Sequence, residues 1–371
     1  MDHNLNAPGH GAMRMLMAGH WRWPMYEEAC ANAFSSLGVE VVPFNWSVFF
    51  AGRLGRFQHA LPAPGPALLR LNRALVRRTQ EVQPDVLFVW RGTHILSSTL
   101  RKVKVHTKAQ LVSYNNDDPF GPSAHGCVPW HHHHLWRLYI RSLKYYDHNF
   151  VYRQVNVAEA LQAGARSATV LGPYFVPALH RPTPLDDRDL VRYGCDVCFV
   201  GHYEADGRDR YLRALVQAGL HVRLYGGKYW TPAVLGNLAP YFGEIRLVYG
   251  EEYAKALCGA KMCLSLLSRL NRDTYTRRCF EIPACGCLLL SERTDDLRRM
   301  FRENEEAVFF SSPQELVEKA SWLRRHPEEA SKIAQAGQYR VHAGGHSVVE
   351  RMRQLLSVLD EGVRRQPGLV M

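Results

Sequence analysis

The sequence predicts an α/β protein with two doubly wound domains, each a parallel sheet covered by helices, facing each other across a cleft. Apolar strand-like runs alternate with helical patterns along most of the chain, as is typical of parallel sheets. A proline-rich segment at 172–189 interrupts this alternation, which then resumes. The chain of 371 residues is longer than a domain with a single hydrophobic core usually is, and its length suits two domains.

The first domain is expected at 13–175, after a disordered leader at 1–12. Its strands are predicted at 13–19, 39–44, 85–90, 110–114, 148–152 and 168–172, and its helices near 27–37, 67–82, 97–105, 135–145 and 155–163. Ligands of such sheets bind beyond the carboxyl ends of the strands. Residues that directly follow a strand are therefore the candidates for function.

The second domain is expected at 190–345, and the amphipathic stretch 346–371 forms a final helix that crosses back to the first domain. The strands predicted here are 196–201, 221–226, 245–250, 261–267, 287–292 and 307–310. Helices are predicted up to about residue 218, at 251–260, entering 283–286, and from 311 to the end.

Composition and cysteine usage predict a soluble, cytoplasmic protein. No apolar run reaches the roughly 18 to 20 residues of a spanning helix, and no secretory leader opens the chain. The nine cysteines are irregularly spaced in apolar segments, which is typical of reduced core thiols. Cys195 and Cys198 have the CxxC spacing, but no second pair follows to complete a zinc site.

The net charge of +11 is concentrated in the first half, where 18 Lys and Arg face 10 Asp and Glu in residues 1–180. Such a surface attracts phosphates, anionic lipid headgroups or nucleic acid, although a solvated helix face would also account for it. No nucleic-acid-binding motif accompanies the charge, so nucleic acid is not an expected partner. The charge instead suggests an anionic or lipid-linked acceptor, or peripheral contact with the inner face of a membrane.

Two Gly-containing loops follow strands in the second half. In FVGHYEADGRDRYL (199–212), Gly201 allows close backbone approach, His202 lies in the loop, and Arg208 and Arg210 could bind a diphosphate with forked hydrogen bonds. In LYGGKYW (224–230), Gly226 would line a nucleotide while Tyr225 or Trp230 stacks on its base. A plain strand-to-helix turn with surface arginines is the alternative for the first loop.

A carboxylate inside an apolar segment marks the third motif, SRLNRDTYTRRCFEIPACG (268–286). Burial of an ionised carboxylate requires partners. If Glu281 lies in the first turn of a helix, a ribose diol could donate two hydrogen bonds to it. Arg277 and Arg278 would bind phosphates or pair with Glu281 itself, and Asp273 would bracket the sugar at a D-x7-E spacing. A simple Arg–Glu ion pair is the alternative.

These residues carry a resemblance that covers most of Met13 to about Leu356. The run 196–226 and the segment RRCFEIPACGCLLLSERTDDLRRMF (277–301) resemble the CgeB-like, spore-maturation-type branch of the GT-B glycosyltransferases, as do PDVLFVWRG (84–92) and SYNNDDPFGPS (113–123). The resemblance implies two Rossmann-like domains, with a nucleoside diphosphate sugar donor held by the second and an acceptor by the first. The acceptor would be a glycan, a lipid-linked molecule or a protein.

The resemblance also implies roles for the residues above. Glu281 would bind the donor ribose, Arg208, Arg210 and Arg277 the diphosphate, and Gly201 and Gly226 would line the nucleotide. Many retaining GT-B enzymes have Glu at both ends of an E-x7-E spacing, whereas here the first position is Asp273. This departure leaves inversion and retention of configuration both open. Arginines would stabilise the departing diphosphate, so no metal or other cofactor is expected to be obligatory.

The first domain supplies the catalytic candidates. Asp117 and Asp118 follow the strand QLVSY, and either carboxylate could take the acceptor proton, although Asp118 before Pro119 could instead stabilise a turn. His20, after the first strand, is a second candidate base, and Trp21 or Trp23 could stack on a sugar or pack in the core.

Three other interpretations of the sequence are less favoured or remain as alternatives. The four consecutive histidines at 131–134, with His125 and Cys127 nearby, cannot all face one ion, so a loop is preferred over a metal site. A protein that binds sugar nucleotides or polysaccharides without catalysis would share the whole pattern, since fold alone does not determine activity. A nicotinamide-dependent oxidoreductase is disfavoured, because no strand ends in G-x-G-x-x-G with an acid about 20 residues later.

Overall fold

The computed structural model describes residues 12–121 and 130–364. The chain divides into two compact units. The first runs to Gly172 and also includes the residues from Arg351 onward, and the second is Pro173–Glu350. Most of the expected leader, His125 and Cys127 lie outside the described residues.

The first unit contains a parallel sheet of six strands in the order β2-β1-β3-β4-β5-β6. The strands are β1 (Arg14–Gly19), β2 (Glu40–Asn45), β3 (Val86–Trp90), β4 (Gln110–Asn115), β5 (His148–Val151) and β6 (Ala168–Val170). The helices are α1 (Ala29–Ser36), α2 (Gly52–Ala60), α3 (Pro66–Val82), α4 (Ser97–His106), α5 (Trp130–Ser142) and α6 (Gln154–Gln162). A π-helical turn, Pro24–Glu28, precedes α1, and a 3-10 helix, Trp46–Phe50, precedes α2.

The second unit contains a parallel sheet of five strands in the order β11-β10-β9-β7-β8. The strands are β7 (Cys195–Val200), β8 (Val222–Tyr225), β9 (Ala260–Ser265), β10 (Leu289–Glu292) and β11 (Val308–Phe310). The helices are α7 (Asp187–Tyr193), α8 (Arg208–Gln217), α9 (Pro232–Leu235), α10 (Ala239–Phe242), α11 (Gly250–Cys258), α12 (Arg278–Ala284), α13 (Asp295–Met300), α14 (Pro313–Arg325) and α15 (Pro327–Ala343). The last helix, α16 (Val348–Arg364), begins in the second unit and continues into the first.

Burial explains why these runs form strands. All five residues of β3 are buried, as are five of the six in β1, which is typical of parallel strands covered on both faces. The helices bury one stripe each. In α3 the stripe is Leu68, Leu71 and Leu75, which pack in the same core as Leu87 of β3. The expected fold class, two Rossmann-like doubly wound units, is confirmed.

Two sequence-based expectations are wrong, and one segment has structure for which no prediction was made. The run 245–250 is not a strand, because only Val248 of its apolar residues is buried, and α11 begins at Gly250. The histidines 131–134 lie in α5 rather than in a loop. The segment 46–60 contains two helices that the alternation did not predict. Its apolar residues do not mark one buried face in the sequence, because Trp46 and Phe50 are buried while Val48, Leu54 and Phe57 are exposed.

The cysteines and the helices of the structure relate to two predictions made from composition. The eight cysteines within the described residues are free thiols. Among the same residues, no helix combines the length and the apolar character required to span a bilayer.

Candidate active site

In the second unit, the loops that follow β7 and β9 lie side by side. These strands are neighbours in the sheet, and the chain leaves β7 for β8 on one side and reaches β9 on the other, which makes this the switch point where ligands of such sheets bind. The Ser268 hydroxyl donates a hydrogen bond to Glu204 Oε2 across the two loops at 2.6 Å. Leu267 N donates to Glu292 Oε2 at 2.7 Å, which ties the end of β10 to the same edge.

Arg208 is bound by its own loop. Its Nε and Nη2 donate to the two carboxylate oxygens of Asp206 at 2.8 and 2.6 Å, and its Nη1 donates to the carbonyl of His202 at 2.6 Å. Glu204 lies 3.3 Å from Nη2, and the guanidinium is buried. These contacts favour a role in holding the loop over a role in binding diphosphate, which stays a prediction.

His202 and Arg210 are the exposed polar groups of this loop. His202 Nε2 lies 3.0 Å from Glu204 Oε1. Within the described residues, Arg210 makes no ion pair, and its guanidinium lies against Gly207. Of the two arginines predicted to bind diphosphate here, Arg210 is therefore the one whose charge remains available.

Gly201 and Gly226 contact each other, and this close packing explains why glycine is found at both positions. A Cβ on Gly226 would lie 2.0 Å from the carbonyl oxygen of Gly201, and Trp230 Nε1 donates to that same oxygen at 2.7 Å. The Trp230 indole is buried in the core, so it is not placed to stack on a base. Tyr225 packs against Tyr193 and Val248 rather than standing free.

Glu281 lies in the first turn of α12, as expected, and is buried. Its Oε1 is 2.8 Å from Arg277 Nη2 and 3.8 Å from His180 Nε2, and its Oε2 accepts a hydrogen bond from the Tyr253 hydroxyl at 2.8 Å. The contact with Arg277 is the Arg–Glu ion pair that the sequence offered as the alternative to ribose binding. The additional contacts with Tyr253 and His180, however, go beyond a simple Arg–Glu pair.

The charge of Glu281 is stabilised despite its burial. Burial alone raises the pKa of this carboxyl, but Arg277, His180, the Tyr253 hydroxyl and Arg278 together lower it to about 2. Burial lowers the pKa of His180, and Val176 N donates to its Nδ1 at 2.9 Å. The neutral ring therefore carries its proton on Nε2, toward Glu281. Each carboxylate oxygen accepts up to two hydrogen bonds, so the contacts with Arg277 and Tyr253 do not use the full acceptor capacity of Glu281.

Asp273 organises the loop after β9. Its backbone N donates to the carbonyl of Ser268 at 2.9 Å, and its Oδ2 lies 3.3 Å from Ser268 N. Arg278, at the start of α12, is half-buried and adds to the positive charge around Glu281. The Arg277 guanidinium also stacks on Tyr174, with Cζ 4.9 Å from the ring centroid.

In the first unit, the loop after β1 is held by Glu27. Glu27 Oε1 accepts a hydrogen bond from His20 N at 2.7 Å, and the carboxylate also interacts with the backbone of Trp21. A Cβ on Gly19 would lie 2.5 Å from Glu27 Oε1, so only glycine fits there. Burial raises the pKa of Glu27 against these hydrogen bonds.

His20 belongs to a group of three histidines. Its ring centroid is 5.1 Å from that of His59, which in turn stacks on His94 at 4.9 Å. Burial, with the charges of His59, Arg22 and Arg91, lowers the pKa of His20 to about 4. Burial, with the charges of His59, Arg91 and His20, lowers the pKa of His94 to about 3. At neutral pH the His20 imidazole is therefore uncharged and able to accept a proton.

The two aspartates are less suited to act as the base. Asp118 is buried, and its Oδ1 accepts hydrogen bonds from Phe120 N at 3.0 Å, Gly121 N at 2.8 Å and Asn156 Nδ2 at 2.8 Å. It stabilises the turn, which is the alternative considered for it. Asp117 pairs with Arg91 at 2.7 Å.

Four buried polar atoms at the carboxyl ends of three neighbouring strands have no hydrogen-bond partner within 12–121 and 130–364. They are Trp21 Nε1 after β1, Arg91 Nε after β3, Asn115 Nδ2 at the end of β4 and Asn116 Oδ1 directly after it. The strands are adjacent in the order β1-β3-β4. Buried polar groups are normally paired with protein or with ordered water, so this row of groups can bind water or the polar groups of a ligand.

Sequence reasoning missed Glu27, Tyr253 and His180. Glu27 could have been recognised as an acid within a mostly apolar helix start, seven residues after His20. Tyr253 and His180 carry no local signal, because they reach Glu281 only through the tertiary fold.

Residues 208–357 match a family model described as glycosyl transferase-like. No curated protein matches the chain.

Solved glycosyltransferase structures share the fold at low identity. HepE from Anabaena, in complex with UDP-glucose, has a TM-score of 0.65 at 14% identity, covering 94% of this chain and all of that one. Sucrose-phosphate synthase from Thermosynechococcus elongatus has a TM-score of 0.68 at 11% identity, covering 94% and 99%. The trehalose 6-phosphate synthase of Burkholderia multivorans has a TM-score of 0.61 at 12% identity, covering 96% and 100%. The chain therefore has the GT-B fold, and this fold together with the family match supports sugar transfer from a nucleotide sugar.

Proposed function

We propose that this chain is a GT-B glycosyltransferase that moves a sugar from a nucleoside diphosphate sugar to a hydroxyl group of an acceptor. The observation that carries the proposal lies in the first unit. A neutral histidine, His20, follows β1 at the same sheet edge as the row of unpaired polar atoms after β1, β3 and β4. Three of those four atoms are donors and one is an acceptor, which suits the hydroxyl groups of a sugar-like acceptor.

His20 is the proposed catalytic base if the configuration inverts. A base with a pKa near 4 is fully deprotonated at neutral pH and takes the acceptor proton as the new bond forms. We retain Asp117 as a second candidate, because its pairing with Arg91 leaves it at the same edge of the sheet. Asp118 is not proposed to react, since its carboxylate is already committed to the turn.

The donor is proposed to bind in the second unit. UDP-glucose and UDP are the ligands in the HepE structures, so a UDP-sugar is the first candidate. Glu281 would accept hydrogen bonds from the ribose hydroxyls, while Arg210 and Arg277 would stabilise the negative charge of the leaving diphosphate. Gly201, His202, Gly226 and Asp273 would surround the nucleotide from the loops after β7, β8 and β9, together with Tyr225 at the end of β8 and Arg278 at the start of α12. No obligatory metal is part of this proposal.

Two parts of the proposal, the glycosyltransferase branch and the class of acceptor, rest on the sequence. Membership of the CgeB-like branch is supported by the segment 277–301 and is proposed on that basis. The acceptor would be a glycan, a lipid-linked molecule or a protein, and the basic first unit favours an acceptor at the inner face of a membrane.

Donor binding is tested by the thermal shift of the protein with UDP-, GDP-, dTDP- and CDP-sugars. A ligand that binds only the folded state raises the melting temperature according to its affinity. We expect one class of donor to raise it, and Glu281→Gln to abolish that rise. Glutamine preserves the volume and avoids an empty site beside Arg277. Glu306→Gln, which removes another buried, ion-paired carboxylate of the same unit, is the matched control and should retain the rise.

The alternative, a binding protein without catalysis, predicts the same thermal shift but no chemistry. Slow hydrolysis of the bound donor in the absence of acceptor, measured as release of the free sugar, separates the two. A normal shift without hydrolysis or transfer would favour the binding protein. No shift with any of the four donor classes would contradict both.

A further inference from the structure

The first unit contains a long stretch without negative charge. Residues 41–80 include six arginines and no Asp, Glu or Lys. At the chain's average of 35 acids in 371 residues, about four would be expected there. The arginines are Arg53, Arg56, Arg70, Arg73, Arg77 and Arg78. Among the described residues, Arg77 and Arg78 are the two of these arginines that form an ion pair, both with Glu81, so most of this charge is not balanced by acids.

Helix α2, which lies in this stretch, exposes its large apolar side chains and buries a polar one. Its buried residues are Gly55 and Gln58, whereas Leu54 and Phe57 are 63% and 62% exposed. A surface helix of a globular protein normally buries its large apolar side chains and exposes its polar ones. The exposed apolar pair is flanked by exposed Arg53 and Arg56.

The orientation of α2 is set by specific contacts. Gln58 Oε1 accepts a hydrogen bond from Ala67 N at 2.9 Å, which joins α2 to the first turn of α3. A Cβ on Gly55 would lie 2.5 Å from the carbonyl carbon of Phe50, so the helix lies directly against that backbone. Rotating α2 to bury Leu54 and Phe57 would break both contacts.

We propose that Arg53, Leu54, Arg56 and Phe57 of α2 form a docking surface for an anionic lipid bilayer. Apolar side chains interleaved with arginines are the composition that enters the headgroup region, where the apolar groups leave water and the guanidinium groups meet phosphates. The exposed arginines of α3 add positive charge to the adjoining helix. A second copy of this chain would bring like charges together, which disfavours self-association through this surface.

The docking surface also connects to the proposed chemistry. His59, near the end of α2, contacts the ring of His20, so the helix that meets the bilayer also supports the proposed base. This last step rests on the proposed function, and it implies that the acceptor is lipid-linked with its hydroxyl close to the headgroups.

Sedimentation with lipid vesicles tests the docking surface. Vesicles of phosphatidylcholine alone are compared with vesicles that also contain about 30% phosphatidylglycerol. The anionic lipid gives these vesicles a strongly negative surface. We expect the full-length protein to bind only the anionic vesicles, and more weakly at high salt. The double variant Leu54→Gln/Phe57→Gln should bind about tenfold more weakly. Val155→Gln/Leu161→Gln on α6, with comparably exposed side chains, is the control and should bind normally.

Three outcomes would overturn the docking surface. They are equal binding by the Leu54/Phe57 variant, binding to neutral vesicles as strong as to anionic ones, and a dimer in solution that the same variant dissociates. The thermal shift with nucleotide sugars is measured on each variant in parallel. Vesicle binding without any donor shift would sustain the docking surface and refute the proposed function, so the two failures are distinguishable.

Discussion

Replacing Glu281 with glutamine is expected to lower the free energy of unfolding by about 3 kcal/mol at neutral pH. The magnitude follows from the pKa of Glu281, which falls from an ordinary 4.5 to about 2 in the folded chain. A shift of this size corresponds to about 1.4 kcal/mol per pKa unit of preference for the ionised form. Glutamine retains the shape of the side chain but leaves Arg277 with no opposite charge.

The pH dependence of this loss identifies its cause. Because the pKa of Glu281 is lower in the folded state, its contribution is complete above about pH 4.5 and disappears as the pH falls through about 2. Urea unfolding at a series of pH values, followed by circular dichroism, measures it. The difference between wild type and Glu281→Gln should therefore shrink steadily below pH 4.5.

Glu292→Gln is the matched control for this prediction. Burial raises the pKa of Glu292, so its ionised form contributes no comparable stability, and the amide can still accept the hydrogen bond from Leu267 N. The double variant Arg277→Gln/Glu281→Gln should recover part of the loss, because no charge is then left unpaired. A Glu281→Gln loss no larger than that of Glu292→Gln, or one that does not vary with pH, would refute the reasoning.

Two other substitutions test separate parts of the molecule. His20→Gln should lower kcat/KM by about 10²- to 10⁴-fold while the thermal shift with donor is retained, and the wild-type activity should fall only below about pH 5, since the pKa of His20 is lowered to about 4. A fall in activity that begins near pH 6.5 would contradict this. Gly226→Ala should cost about 1 to 3 kcal/mol of stability, because its Cβ would meet the Gly201 carbonyl oxygen. Gly172→Ala, whose Cβ would have no neighbour closer than 3.7 Å, is the control, and equal melting temperatures would refute the clash.

The periodicity of the sequence predicted most of the sheet, because buried parallel strands are short apolar runs. The run 245–250 has the same composition and yet forms no strand. It lies beside the edge strand β8, where Gly226 N donates to the carbonyl of Arg246, and the other apolar residues of the run remain largely in solvent. Local composition cannot distinguish such a segment from a paired strand.

The candidate site was predictable in part. Glu281 was singled out because a carboxylate in an apolar segment must have partners, but which partners it has depends on Tyr253 and His180, each more than twenty residues away in sequence. Arg208 shows the opposite case. Its position at a helix start suggested anion binding, whereas Asp206, two residues earlier, already binds its guanidinium. Residue type and spacing indicate what a side chain can bind, and only the fold determines what reaches it first.

The carboxylate of Glu27 fills the turn that follows the first strand of the amino-terminal sheet. In nucleotide-binding folds of this kind, the backbone amides of the first strand-to-helix turn receive a phosphate. Here those amides, at His20 and Trp21, are already occupied by an anion that belongs to the chain itself. An incoming phosphate would meet negative charge and filled space, so the amino-terminal sheet is closed to nucleotides at that turn. On the proposed function, this filled turn is consistent with a donor that binds in the second unit.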